Sequence, residues 1–166
     1  MKKLLAFVFV GLIVCSGAWA AQVTINATAS QVLSVATGSP AWSVTLDNTG
    51  TAVTASPVDN LTVKSSKRAY TVTFSSTDAG KLKMTSGTES YYIPYLIKVD
   101  TKGWGGVSTN NLSDYVQLDT GKTIVFTART PVAGKSFPIS FKINEYDDYY
   151  EDGDYSATLT IGISAN

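Results

Sequence analysis

The chain has 166 residues, with 13 Lys/Arg against 13 Asp/Glu, no histidine, and a single cysteine at Cys15. Without histidine there is no Ser-His-Asp triad, no imidazole base and no His-built metal site. A length of this order fits one domain.

The N-terminus reads as an export leader. Lys2 and Lys3 precede the apolar run Leu4–Val14, and Ala18-Trp19-Ala20 gives the small-x-small spacing of a cleavage site, so residues 1–20 are expected to be removed after Ala20. The run is shorter than the ~20 residues a transmembrane helix needs, and no second apolar stretch follows. Cys15 raises lipidation as an alternative, but the branched Val14 before it fits a lipoprotein peptidase badly and Ala20 gives a better site. The remaining chain, 21–166, has neither cysteine nor histidine and carries 11 basic against 13 acidic residues, a net charge of −2. That balance argues against nucleic acid or an anionic membrane surface as partner, since both call for clustered Lys/Arg. Disulfide-free export suits a bacterial envelope or exterior, with burial alone holding the domain together.

Strict alternation then recurs along the chain, the mark of strands with one buried face. Val23, Ile25 and Ala27 alternate with polar residues, as do Trp42, Val44 and Leu46. Leu61 and Val63 follow, then Tyr70, Val72 and Phe74, then Leu82 and Met84. Ile93, Tyr95, Ile97 and Val99 read as one strand, followed by Val116–Leu118 and Thr123–Thr127. Phe137, Ile139, Phe141 and Ile143 form a clean run, and Tyr155, Ala157, Leu159, Ile161 and Ile163 close the chain. Turn residues such as Asn48-Thr49-Gly50, Asp78-Ala79-Gly80 and Asp152-Gly153 separate these runs. About ten short strands with frequent turns predict an antiparallel β-sandwich, with a closed barrel as the alternative. An outer-membrane barrel fits less well, because no apolar bands with aromatic girdles are present.

Chemistry-bearing features are few. No thiol nucleophile remains after the leader, no Gly-rich phosphate loop joins a strand to a helix, and no carboxylate pair is marked as facing across a cleft, so no enzymatic role is expected. The acidic stretch from Glu145 to Asp154 holds Asp147, Asp148, Glu151, Asp152 and Asp154, which could cage Ca²⁺ but match no EF-hand spacing. A solvated hairpin loop is the simpler reading, and no other cofactor is implied. Trp104 sits among glycines, and Tyr91-Tyr92 and Tyr149-Tyr150 each turn one ring outward if strand-borne. Such aromatics could stack on a sugar or anchor an interface, or Trp104 could plug an end of the sandwich. Trp42, in register with Val44 and Leu46, reads as core.

Asn60–Ser65, Tyr70–Phe74, the Ile93-Pro94-Tyr95 strand and the closing Gly153-Asp154-Tyr155-Ser156-Ala157-Thr158-Leu159-Thr160-Ile161 occur in order. Together they resemble the spore coat protein U and pilin-like family of secreted bacterial β-sandwich proteins, over roughly the last two-thirds of the exported chain. The resemblance implies an immunoglobulin-like Greek-key sandwich over 21–166. It implies a structural or adhesive subunit of a surface fibre or coat, partnered by other envelope subunits or a periplasmic chaperone and assembled by β-strand addition. Residues 21–30, with Val23, Ile25 and Ala27, are then the expected donor strand, and Tyr155, Leu159, Ile161 and Ile163 the strand that receives a partner. The chain departs from many pilins in lacking their early disulfide. A monomeric module binding carbohydrate or protein, through Trp104 and the tyrosine pairs on a surface glycan, is the other reading. The two differ in one structural expectation: an assembling subunit leaves 21–30 unpaired with its own domain and an apolar groove open.

Overall fold

The structure, a computed structural model, describes residues 27–166; the leader, Val23 and Ile25 lie outside the described residues. The strands are β1 (Leu33–Thr37), β2 (Val53–Ser65), β3 (Tyr70–Ser76), β4 (Lys81–Ser86), β5 (Glu89–Pro94), β6 (Leu96–Val99), β7 (Val107–Asn110), β8 (Val116–Gln117), β9 (Lys122–Phe126), β10 (Lys135–Ile143) and β11 (Leu159–Ala165). A five-stranded sheet has the order β1-β2-β10-β6-β8, a four-stranded sheet the order β11-β3-β9-β7, and β4-β5 form a separate hairpin. Every ladder is antiparallel. The protein is therefore all-β, as its alternation predicts.

The two larger sheets enclose one core because their period-two side chains meet. Tyr70, Val72 and Phe74 of β3 and Phe137, Ile139, Phe141 and Ile143 of β10 are all buried. Tyr70 stacks on Phe126 at 4.8 Å between ring centroids, and Phe126 meets Phe137 of the other sheet at 5.7 Å. Tyr95 stacks on Phe141 at 5.4 Å and shares a hydrogen bond with Ser76 Oγ. Burying side chains of this size stabilises by roughly 1.5–3 kcal/mol each, which a disulfide-free domain requires.

Several expectations are corrected. Ile93 to Val99 is not one strand: it divides at Tyr95, with β5 paired to β4 and β6 paired to β10. Pro94 has no N–H to extend a ladder, and the chain changes sheets there. Trp42 to Leu46 keeps the alternating half-buried pattern but takes no strand, and Trp42 is half-buried at the margin of the core. The last strand begins at Leu159, preceded only by a bridge from Ser156 to Lys83. Two strands had no counterpart in the sequence reading. β1 is short, and β7 carries a register shift between Val107 and Thr109 that breaks its alternation.

Strand polarity gives the domain two distinct ends. At one, here the base, the β2–β3 turn meets the start of β1 and the end of β11: Ser66 N donates to Val32 O, and Asn166 N to Ala69 O. At the other, the crown, the β10–β11 loop meets the turn at 47–50. Tyr146 N donates to Gly50 O, while the Asn48 side chain donates to Tyr150 O and accepts from Tyr150 N.

An unpartnered apolar groove as the candidate functional site

β11 pairs with β3 along one edge, and among the described residues no strand pairs with the other. Thr158 O accepts from Thr77 N, and Asn166 N donates to Ala69 O. In the register of this ladder the even-numbered residues therefore bond to β3. The N–H and C=O groups of Leu159, Ile161 and Ile163 consequently point away from it, to the free edge. The same odd-numbered side chains turn inward. From Tyr155 to Ile163 half-buried and exposed residues alternate without a break, and Tyr155, Ala157, Leu159, Ile161 and Ile163 all pack against the core margin.

The facing lip comes from the start of the chain. β1, at the edge of the five-stranded sheet, has residues within 8 Å of β11 by Cα distance but shares no ladder with it. Beyond β1 the chain passes through Trp42, Val44 and Leu46, each half-buried, with exposed residues between them. Between the lips lies a groove of about 560 Å³ of mixed lining: Val35, Trp42, Tyr155, Ala157, Leu159 and Ile161 with Leu82, Tyr95 and Phe141, beside the polar Thr37, Ser39, Ser156 and Thr158. The central strands bury their inward residues almost completely, whereas every inward residue of the two lips stays partly exposed.

Asp59 fixes the lip that follows β1. Its carboxylate, on β2, accepts from Gly38 N at 3.0 Å, Ser39 N at 2.9 Å and the Trp42 indole Nε1 at 2.9 Å, and from Asn60 N at 2.7 Å. Burial pushes the carboxyl pKa up, but the bonds from Trp42, Ser39, Asn60 and Gly38 outweigh it and hold the group below the usual aspartate value. Sequence reasoning missed Asp59. Its signal was a carboxylate inside a strand, two residues before the buried Leu61, a position that needs donors.

The predicted site residues separate into three places. Tyr155, Leu159, Ile161 and Ile163 lie along the free edge together, while Ala27 is exposed, takes no strand, and precedes β1. Trp104 lies half-buried against Phe126 at 5.5 Å and Phe137 at 5.4 Å, so it closes the base of the core. A shallow hollow of about 500 Å³ beside it includes none of the four predicted tyrosines. Tyr149 is 85% exposed, while Tyr150 turns in against Tyr146 at 4.6 Å; Tyr92 faces solvent beneath Lys81 and Lys83, and Tyr91 donates to Glu89. The Ca²⁺ cage is not formed. Asp147, Asp148, Glu151, Asp152 and Asp154 are all exposed, and among the described residues no three carboxylates converge on one point. Among the described residues no helix is long and apolar enough to cross a membrane.

No protein-family model matches the chain, and a search of curated proteins found no match.

Proposed function

We propose that this chain is a secreted structural or adhesive subunit of a bacterial surface fibre or coat, with no enzymatic role, that assembles by β-strand addition. One observation carries this reading: a free, alternating strand edge at β11 faces the β1 lip, with Val35 and Trp42, across an open groove. An added strand there would satisfy the outward N–H and C=O groups of Leu159, Ile161 and Ile163 and cover their half-buried side chains together. The sheet orders support reading the domain as an immunoglobulin-like Greek key without its final strand, taking β1-β2-β10-β6 as one face and β11-β3 as the start of the other. That pattern supports the resemblance to the pilin-like family.

The expected donor is residues 21–30, whose Val23, Ile25 and Ala27 repeat at the period the groove presents. Deleting 21–30 from the exported chain tests the reading by light scattering and circular dichroism. Loss of assembly with a retained β spectrum is the expected result. An unfolded deletion variant, or a full chain that stays monomeric, would overturn it. The monomeric glycan-binding reading is favoured less, because Trp104 is engaged in the core and the exposed Tyr149 stands away from its hollow.

A further inference from the structure

Folding gathers at the base basic side chains that are scattered in the sequence. Lys64, Lys67 and Arg68 come from the end of β2 and the turn after it. Thr130 N donates to Ser65 O at 3.1 Å and Ser65 N to Thr130 Oγ1 at 2.9 Å, which brings Arg129 beside them. Lys135 lies opposite Val63 in the β2–β10 register, and Lys102 stands on the loop that Trp104 pins against Phe126 and Phe137. These are six of the 11 basic residues of 21–166, and include both arginines. Segments 62–70 and 127–137, which form most of this surface, contain no acidic residue. Asp100, whose Oδ1 accepts from Lys102 N at 2.9 Å, and the carboxylate of Asn166 adjoin it. The acidic loop 145–154 lies at the crown, so a chain of near-balanced charge carries opposite signs at its two ends.

The charged heads of the six are unoccupied. Among the described residues none of them forms a salt bridge, a side-chain hydrogen bond or a cation–π contact, whereas the other five cations of 21–166 are all engaged. Lys122 pairs with Asp119 at 2.8 Å, Lys81 and Lys83 lie over the Tyr92 ring, and Lys98 and Lys142 lie over the Tyr115 ring. Between Arg129 and Lys135 the chain turns tightly: Gly134, at φ +94, donates its N–H to Pro131 O at 2.8 Å. This turn is packed hard on β2, since a Cβ at Gly134 would meet Lys64 Cγ at 2.9 Å and Val63 O at 3.1 Å. Val132 at its tip is 100% exposed, with Pro131 and Ala133 exposed on either side. A single exposed valine is ordinary. Held out by a rigid turn and flanked by unengaged cations, it has the composition of an interfacial anchor, an apolar tip with a basic surround.

We propose that the base is a docking surface for an anionic phospholipid bilayer, with the Val132 turn entering the headgroup boundary and the six cations set on the lipid phosphates. The net charge of −2 over 21–166 does not oppose this, because a bilayer acts on the face turned toward it. Its potential decays over a Debye length of ~8 Å at physiological ionic strength. The acidic crown stands farther off by the length of β10, nine residues or about 30 Å. Repulsion of that end in the outer field only favours the orientation with the base down. An acidic polysaccharide would match the same charges but would leave the projecting Val132 without a role, which favours lipid. The proposal does not depend on the strand-addition reading, since peripheral attachment needs no added strand.

Co-sedimentation of residues 21–166 with phosphatidylcholine vesicles carrying about one-third phosphatidylglycerol tests this, beside vesicles of phosphatidylcholine alone. Binding to the anionic vesicles only, weakened by salt, is the expected result. K67E/R68E should weaken it by about tenfold or more, and K81E/K83E, the same charge change away from the base, by less than about threefold. V132S leaves the charge intact and should weaken binding by about threefold or more. Tryptophan emission of V132W should shift to the blue on the anionic vesicles beyond any shift of the wild type. Circular dichroism checks the fold of each variant. Equal losses from K67E/R68E and K81E/K83E would reduce the attraction to overall charge and refute a defined surface. If the base charges matter while V132S binds as the wild type, V132W stays unshifted and soluble polygalacturonate competes with the vesicles, the base belongs to an acidic polysaccharide and lipid docking is wrong. Absence of binding to the anionic vesicles at low salt overturns the proposal outright.

Discussion

Replacing Asp59 with alanine probes the construction of the groove more directly than any other single change. The substitution removes the acceptor shared by Gly38 N, Ser39 N and Trp42 Nε1, three donors 17 to 21 residues away in sequence. A buried hydrogen bond to a charged group contributes roughly 1.5–3 kcal/mol, but here water reaches the site and can replace part of each bond. At about 1 kcal/mol for each long-range donor, D59A should cost about 3 kcal/mol, lowering the melting temperature by roughly 6–12 °C in a domain of this size. The Asn60 bond is local and adds little. Urea unfolding followed by tryptophan fluorescence and circular dichroism measures the loss. Because the native carboxyl pKa is depressed, the contribution is complete above the unfolded value near 3.8 and fades as pH falls through the lower native value. The stability gap between wild type and D59A should therefore narrow only in that acid range. A loss below 0.5 kcal/mol, or a gap that widens as the pH falls below 3.8, would refute the account of Asp59 as the clasp of the lip that follows β1.

Two other positions give independent tests of the fold. The Tyr70 hydroxyl is buried without a hydrogen-bond partner, and burial pushes its pKa up to about 12. Y70F should stabilise by about 1 kcal/mol by removing an unsatisfied polar atom. It should also lessen the stability loss that the wild type suffers between pH 10 and 12, where the unfolded tyrosine ionises first; a destabilised Y70F in urea denaturation would count against this. Gly80 sits at φ +73, and a Cβ there would meet Leu118 N at 2.6 Å. G80A should cost at least roughly 1–3 kcal/mol from the left-handed backbone alone, measured by thermal melt, and a neutral result would refute the tight crossing of these two segments.

How much of this was legible depends on the kind of constraint. Tyr70-Val72-Phe74 and Phe137-Ile139-Phe141-Ile143 announced themselves because a buried sheet face imposes period two on the sequence, and all of them are buried. The alternation from Tyr155 to Ile163 was equally legible, although a ladder forms only from Leu159. Where the chain changes sheets, periodicity continues while pairing does not, which is why Ile93 to Val99 read as one strand. Trp42, Val44 and Leu46 misled for a related reason: alternation reports which side chains face inward, not whether a neighbouring strand accepts the backbone. The clasp at Asp59 and the two charged ends depend on contacts distant in sequence, such as Thr130 N to Ser65 O, which no local pattern encodes. The acidic loop was seen as a cluster, yet a cage requires convergence, and among the described residues no three of its carboxylates converge.

The sheet edges themselves sharpen the case for a partner. A free edge is a hazard that proteins blunt by shortening it, bulging it, or placing charge or proline on it. β8 has only two residues, and β7 has four, with a register shift and the polar sequence Val107-Ser108-Thr109-Asn110. The edge from Tyr155 to Asn166 has none of these defences: it carries no Asp, Glu, Lys, Arg or proline, and its inward residues are apolar throughout. The charges adjoining it stand instead at the crown and the base, beyond its two ends, where they leave the edge itself open. An edge meant to remain solitary would carry the defences seen on β7 and β8. Their absence from β11, and from β1 on the lip opposite it, is the pattern the proposed strand addition would require.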